Sequence, residues 1–271
     1  MAGTFWVRRL SRVALTLSVL ASAGAVSVNA DESRAPGAMD AHPYAYETLY
    51  ETDWRQGLDS RVGVQTNPGG IAIVADPADP ARHALRAHIE RGENYAAVAN
   101  GVPRAELLFP APVRFEQGRD YLIRWSTWLP VDFRFDSQQL MIITQINQGK
   151  WIGAPTLALA LQGTRYAISG HGGVRHDRVS AGKWLCCADT DRGRWVHWAI
   201  RYVPDETGQR ALTELYKDGE RVFAASGVPN AYPGVQDAYL KLGLYKPNWN
   251  VKPSDVATST VLYGPLSVLR R

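Results

Sequence analysis

Tyr239-Leu240-Lys241-Leu242-Gly243-Leu244-Tyr245 alternates without a break between leucine and residues of another kind. Successive side chains of an extended strand point to opposite faces. The three leucines therefore share one face, and Tyr239, Lys241, Gly243 and Tyr245 share the other. A helix would need its apolar residues three and four apart. The segment reads as a strand with one face in a core and a polar, glycine-gapped row on the other.

The same period runs through most of the chain. Strands are predicted near 48–54, 61–66, 71–76, 83–90, 104–110, 121–129, 139–147, 156–162, 165–170, 195–203, 211–217, 220–224, 238–246 and 261–269, and helical spacing is nearly absent. Turn chemistry agrees. Lys217-Asp218-Gly219-Glu220 has the composition of a tight hairpin, and Asp205–Gln209 closes another. Many short strands joined by polar loops predict an all-β fold, here a β-sandwich jelly roll of two antiparallel sheets with a concave groove on one face.

The amino terminus reads differently. Arg8, Arg9 and Arg12 precede an uncharged, largely apolar run from Val13 to Val28 that ends at Ala30 before Asp31. This is the pattern of a secretory signal peptide spanning 1–30. The run is too short for a bilayer span, which leaves no stable membrane anchor after cleavage and predicts a periplasmic or secreted protein. Those three arginines account for three of the four net positive charges, so the remaining chain is close to neutral. Segment 31–44 has no periodicity and reads as a flexible lead. Residues 45–271 then form one sandwich, a size that all-β domains reach as single units.

Cys186 and Cys187 are adjacent. Consecutive Cα atoms across a trans peptide lie about 3.8 Å apart, closer than disulfides prefer, so the first reading is two small half-buried side chains and the second a vicinal disulfide. No cysteine or histidine pair stands at metal-ligand spacing. No cofactor is expected. Structural calcium has only Asp189-Thr190-Asp191 as a faint acidic hint.

Three strand segments carry polar residues on a common side. Arg104 and Glu106 share a face in Arg104-Ala105-Glu106-Leu107-Leu108, and Gln145 and Asn147 share one at the end of Leu140–Asn147. The third is Tyr239–Tyr245. A solvated sheet face explains any one of these rows. Together they are rich in Arg, Glu, Gln, Asn, Lys and Tyr, the composition of a binding groove.

In this order R-A-E-L at 104–107, Q-I-N at 145–147 and Y-L-K-L-G-L-Y at 239–245 resemble the R-x-E-L, Q-I-H and Y-F-K-x-G-x-Y motifs of the jelly-roll polysaccharide lyases. This is the group that includes alginate lyases, glucuronan lyase and heparin lyase I. Y-L-I-R-W-S-T-W-L-P at 121–130 and Gly193-Arg194-Trp195 extend the resemblance over most of the chain.

The resemblance implies β-elimination on a uronic-acid-containing polysaccharide. The uronate is neutralised, its C5 proton is removed, and the glycosidic oxygen at C4 leaves with a proton. Charge that develops on the carboxylate needs preorganised donors, and Gln145, Asn147 and Arg104 are the candidates. Tyr245 is the candidate for proton transfer, helped toward phenolate by Lys241 or Arg104. Lys241 and Tyr239 would line the sugar sites, Glu106 would orient Arg104, and Trp249 would stack on a sugar ring.

One departure bears on the base: Asn147 stands where the family motif has histidine. Either Tyr245 is both base and acid, or His171 in Ser169-Gly170-His171-Gly172-Gly173 substitutes, or only sugar binding remains. The last would make the chain a non-catalytic carbohydrate-binding protein on the same fold. Trp125, Trp128 and Trp151 are further stacking candidates that an ordinary core would equally use.

Other classes lack their signatures. No short-spaced pair of carboxylates on a groove face fits a retaining glycosidase, and no G-x-S-x-G elbow fits a serine hydrolase. The balanced charge does not fit a nucleic-acid binder. The expected partner is an acidic polysaccharide.

Overall fold

The computed structural model describes residues 45–149, 153–175 and 178–271. The predicted leader 1–30, the lead 31–44 and Trp151 lie outside the described residues. The described residues form one compact unit.

Two antiparallel sheets make up this unit. One has nine strands: β1 (Glu47–Thr52), β3 (Ile71–Ala75), β4 (His83–Glu90), β6 (Tyr121–Trp128), β11 (Trp195–Val203), β12 (Leu212–Lys217), β13 (Glu220–Ser226), β15 (Thr258–Tyr263) and β16 (Leu266–Arg270). The other has seven: β2 (Gly63–Thr66), β5 (Arg104–Leu108), β7 (Met141–Asn147), β8 (Leu157–Gln162), β9 (Arg165–Gly170), β10 (Ala181–Leu185) and β14 (Tyr239–Tyr245). The seven-stranded sheet runs in the order β10-β9-β8-β7-β14-β5-β2. This is the predicted all-β sandwich.

Alternation builds the core between the sheets. Leu240, Leu242 and Leu244 have no exposed surface, and they pack in one cluster with Ala105, Leu107, Ile143 and Ile146 of the same sheet. The facing sheet contributes Leu85, Ile89, Trp198, Tyr202, Val261, Tyr263 and Val268. Each large apolar side chain so buried stabilises the fold by roughly 1.5–3 kcal/mol. Tyr263 crosses the layer and donates its hydroxyl to the Ile143 carbonyl at 2.9 Å. The buried phenol therefore has its partner, as buried polar groups must.

The 217–220 hairpin forms as its composition predicts. Lys217 pairs with Glu220, and Asp218 and Gly219 both take positive φ, at 51° and 87°. That is the backbone of the two-residue turn that matches strand twist.

Besides the predicted strand 261–269, which divides into β15 and β16, the structure departs from expectation at β10 and at the two cysteines. β10 was not expected, because Ala-Gly-Lys-Trp-Leu is poor in the β-branched residues that mark strands; it forms because all five residues pair with β9. Cys186 and Cys187 are joined by a disulfide across a cis peptide bond, where two separate side chains were the first reading.

Candidate active site

The outer face of the seven-stranded sheet carries the polar rows. Directly paired residues of an antiparallel ladder share a face. Tyr245 pairs with Arg104, Gly243 with Glu106, Lys241 with Gln145 and Tyr239 with Asn147. Three strands, β5, β14 and β7, thus bring the predicted residues into one patch. An exposed sheet face would leave such side chains in water, yet Arg104, Glu106, Gln145 and Lys241 are each at most 5% exposed. The patch is the floor of a recess.

Gly243 explains how the rows close up. Its φ is +136°, and a Cβ there would lie 2.1 Å from the Ala105 carbonyl oxygen. Only glycine lets β14 approach β5 this closely. The same position places no side chain between Lys241 and Tyr245 in the row that faces Glu106.

Glu106 is the hub. One carboxylate oxygen accepts from Gln145 Nε2 at 2.5 Å, and the other accepts from Arg104 Nη1 at 3.3 Å and lies 3.5 Å from Lys241 Nζ. Two buried cations therefore share one buried anion. Burial pushes the Lys241 ammonium below its ordinary pKa, while Glu106 opposes that shift. A cluster with one positive charge in excess is costly in a desolvated recess and is relieved by a second anion.

Arg104 is held inside the protein on several sides. It donates to the Val102 carbonyl at 3.2 Å, to Gln65 at 3.2 Å and to Asn100, and its guanidinium lies 4.4 Å from the centre of the Tyr245 ring. With most of its five donors engaged there, it is better placed to act on Tyr245 than to clamp a carboxylate. Asn147 keeps a more accessible amide, touching Gln145 Oε1 at 3.5 Å.

The expected cation beside Tyr245 is present, but its effect is not the expected one. Burial pushes the Tyr245 phenol above its ordinary pKa, and Arg104 only partly opposes this. Tyr239 is raised as well, by burial and then by Glu106. Both phenols rest protonated at neutral pH.

Two candidates are corrected. Trp249 has no exposed surface; its indole N–H donates to Ser254 Oγ at 2.9 Å, and Lys246 Nζ sits 4.4 Å from its ring centre. It is a core residue wedged beside the buried Lys246–Asp136 pair, and no sugar reaches it. His171 follows β9, its amide bonded to the Thr156 carbonyl, three strands across and six residues along from Tyr245. A base must lie within hydrogen-bond reach of the proton it takes, so His171 does not share a sugar with Tyr245. Its Nδ1 is 3.0 Å from the Pro155 carbonyl, and burial lowers its pKa. Because a carbonyl only accepts, Nδ1 carries the proton and the ring is a neutral, locally anchored group. Trp125 is likewise buried, stacked on Trp198.

Gln65 and Asn100, which fix Arg104, were not anticipated. The signal for Gln65 lay in pairing rather than in motif, since it sits opposite Glu106 on β2. Among the described residues no group of three or more His, Cys, Asp or Glu side chains is arranged to hold a metal. Asp191, one of the two carboxylates of the acidic hint, is bound by Tyr166, Lys217 and Arg194.

A family model described as polysaccharide lyase matches residues 46–263. No curated protein matches. Among solved structures, the endo-β-1,4-glucuronan lyase of the fungus Trichoderma reesei superposes with a TM-score of 0.62 at 15% identity, covering 76% of this chain and 89% of that one. Alginate lyase A1-II', a member of polysaccharide lyase family 7, gives 0.56 at 14% identity over 78% and 95%. The binding domain of Paraclostridial Mosquitocidal Protein 1 gives 0.50 at 11% identity over 83% and 49%. At these identities the likenesses show a shared fold.

Proposed function

Since the chain belongs to the polysaccharide lyase family, we propose that it cleaves a uronic-acid-containing polysaccharide by β-elimination on the outer face of the seven-stranded sheet. The observation that carries this reading is the pair of buried cations, Arg104 and Lys241, around the single carboxylate of Glu106, beside a phenol. A substrate carboxylate is the anion such a cluster lacks. Binding a neutral sugar gives no reason to bury the excess charge.

In this reading the uronate lies over Gly243. Lys241, Asn147 and the remaining N–H of Gln145 meet its carboxylate and stabilise the charge that builds on it as the C5 proton leaves. Glu106 holds Gln145, Lys241 and Arg104 in place. Tyr245, on the other side of the glycine gap, transfers the proton: as phenolate it takes the proton from C5, and as phenol it returns one to the C4 oxygen of the leaving sugar. Both transfers then occur on one face of the ring. With asparagine at 147, His171 out of reach and Lys241 tied to Glu106, the first transfer falls to one of the two phenols, Tyr239 or Tyr245, and Tyr245 is the one with the Arg104 guanidinium 4.4 Å from its ring centre.

The donor set answers one carboxylate, and the cluster holds no additional group of arginines for sulfate. We therefore favour an unsulfated polyuronide. Export is proposed from the 1–30 leader alone, and a mature protein beginning at Asp31 by mass spectrometry is the result expected of it.

The deciding experiment is ultraviolet absorbance of the unsaturated uronide during incubation with glucuronan, polymannuronate, polyguluronate, hyaluronan and heparin. Absorbance is expected to rise on an unsulfated polymer, and Tyr245→Phe is expected to lower kcat by roughly 10²–10⁴-fold, the usual worth of a positioned acid or base. Silence on every polymer, or a fully active Phe variant, overturns the assignment.

A further inference from the structure

Beyond the patch, the sheet continues as a floor of small side chains. The row through Tyr245 passes to Ile142, then Ala160, then Ala167, and ends at Trp184 on the edge strand β10. The neighbouring row runs from Lys241 through Gln145, Ala158 and Ser169 to Gly182. All of these positions face the same way as the active patch. Ala160 and Ala167 in the first row, and Ala158, Ser169 and Gly182 in the second, are a poor choice for covering a sheet but keep its floor low.

Trp184 is 47% exposed, and among the described residues it is the single tryptophan, tyrosine or phenylalanine in the exposed class. Leaving a large aromatic ring in water has a cost. Arg165, on the same face of β9, lies 4.8 Å from the ring centre and holds one side of it. Gly182, the next residue on that face of β10, contributes no side chain to cover the rest. Strands are spaced about 4.8 Å apart, so four steps put Trp184 about 19 Å from Tyr245, a distance of several sugar rings.

We propose that Trp184 and Arg165 form a distal subsite of the same groove, where the indole stacks on a pyranose ring and the guanidinium pairs with a uronate carboxylate of the polymer held at Tyr245. The proposal rests on the β-elimination reading for its occupant and adds where the chain runs: across the strands, from β14 over the alanine floor to β10. An acidic sugar polymer suits this edge because it offers what the pair lacks, an apolar ring face and a negative charge at each repeat.

The test is calorimetric titration of the Tyr245→Phe protein, which retains the groove, with disaccharides and octasaccharides of glucuronate and of alginate. Affinity is expected to rise with chain length in one series. Trp184→Ala should weaken octasaccharide binding roughly tenfold and abolish most of that rise, whereas Trp184→Phe, which keeps a ring, should recover it. Octasaccharide affinity unchanged in Trp184→Ala overturns the subsite, and so does a parent with no gain from disaccharide to octasaccharide in either series. Product absorbance of the wild-type enzyme is read separately, so failure of the lyase assignment and failure of the subsite fall on different measurements. Trp184 is exposed and its substitution leaves the core intact; a circular dichroism spectrum matching the parent confirms the fold.

Discussion

Tyr245 rests as a phenol because burial disfavours its charge more than Arg104 favours it. If it must first be a phenolate to take the C5 proton, the active fraction grows with pH below its raised pKa. Then kcat/KM should climb by about tenfold per unit between about pH 7 and 9 and fall once Lys241, whose pKa is lowered, loses the proton that binds the substrate. Asn147→His places an imidazole beside Tyr239 and Gln145 and should raise the neutral-pH rate about tenfold or more while flattening the climb. A parent profile already flat over that range would remove Tyr245 as the base. Much of this was legible residue by residue: the period of two put Arg104 with Glu106, Gln145 with Asn147, and Lys241 with Tyr245 on common sides of their own strands, while the pairing of β5, β14 and β7 made one face of them. What the period does not reveal is depth. Trp249 follows the third motif in a polar stretch and looks exposed in sequence, but Lys246 beneath it is fully buried against Asp136. The loop therefore folds inward and takes the indole with it.

At the scale of the strand, β14 is where fold and site depend on one another. Its leucines fasten it to the core while its polar row floors the groove, and Gly243 sets the spacing to β5. Gly243→Ala should cost about 3 kcal/mol or more, combining an unfavourable φ with a Cβ driven into the Ala105 carbonyl. A fall in the urea midpoint without a change in the slope would register it. Strand positions were read well where alternation was strong, as in β11 and β14, and where a run was rich in apolar and β-branched residues, as in β6 and β7. β10 was missed because edge strands answer to one neighbour and tolerate Gly, Ala and Lys. The miss also hid Trp184, the residue proposed for the distal subsite, which sits on it.

For the molecule as a whole, closure depends on its last strand. β16 pairs with β1 on one side and β6 on the other, and Leu266 and Val268 are buried in the common core. Deleting residues 266–271 would remove roughly 3–6 kcal/mol of burial and orphan β1, against a total stability of about 5–15 kcal/mol for a typical domain. Loss of any cooperative urea transition is the expected outcome, and a variant with a parental midpoint would contradict it. Such long-range pairing is invisible to local pattern: the sequence predicts a strand near 261–269 but not that it divides into β15 and β16, nor that β16 lies between β1 and β6. The excess positive charge around Glu106 has a kinetic corollary. The proposed elimination would break a C–O bond and leave every carboxylate where it was, so each fragment would still carry the group that drew the polymer in. On that reading the enzyme is expected to be inhibited by what it makes, its turnover on long chains set by how readily the spent fragments let go.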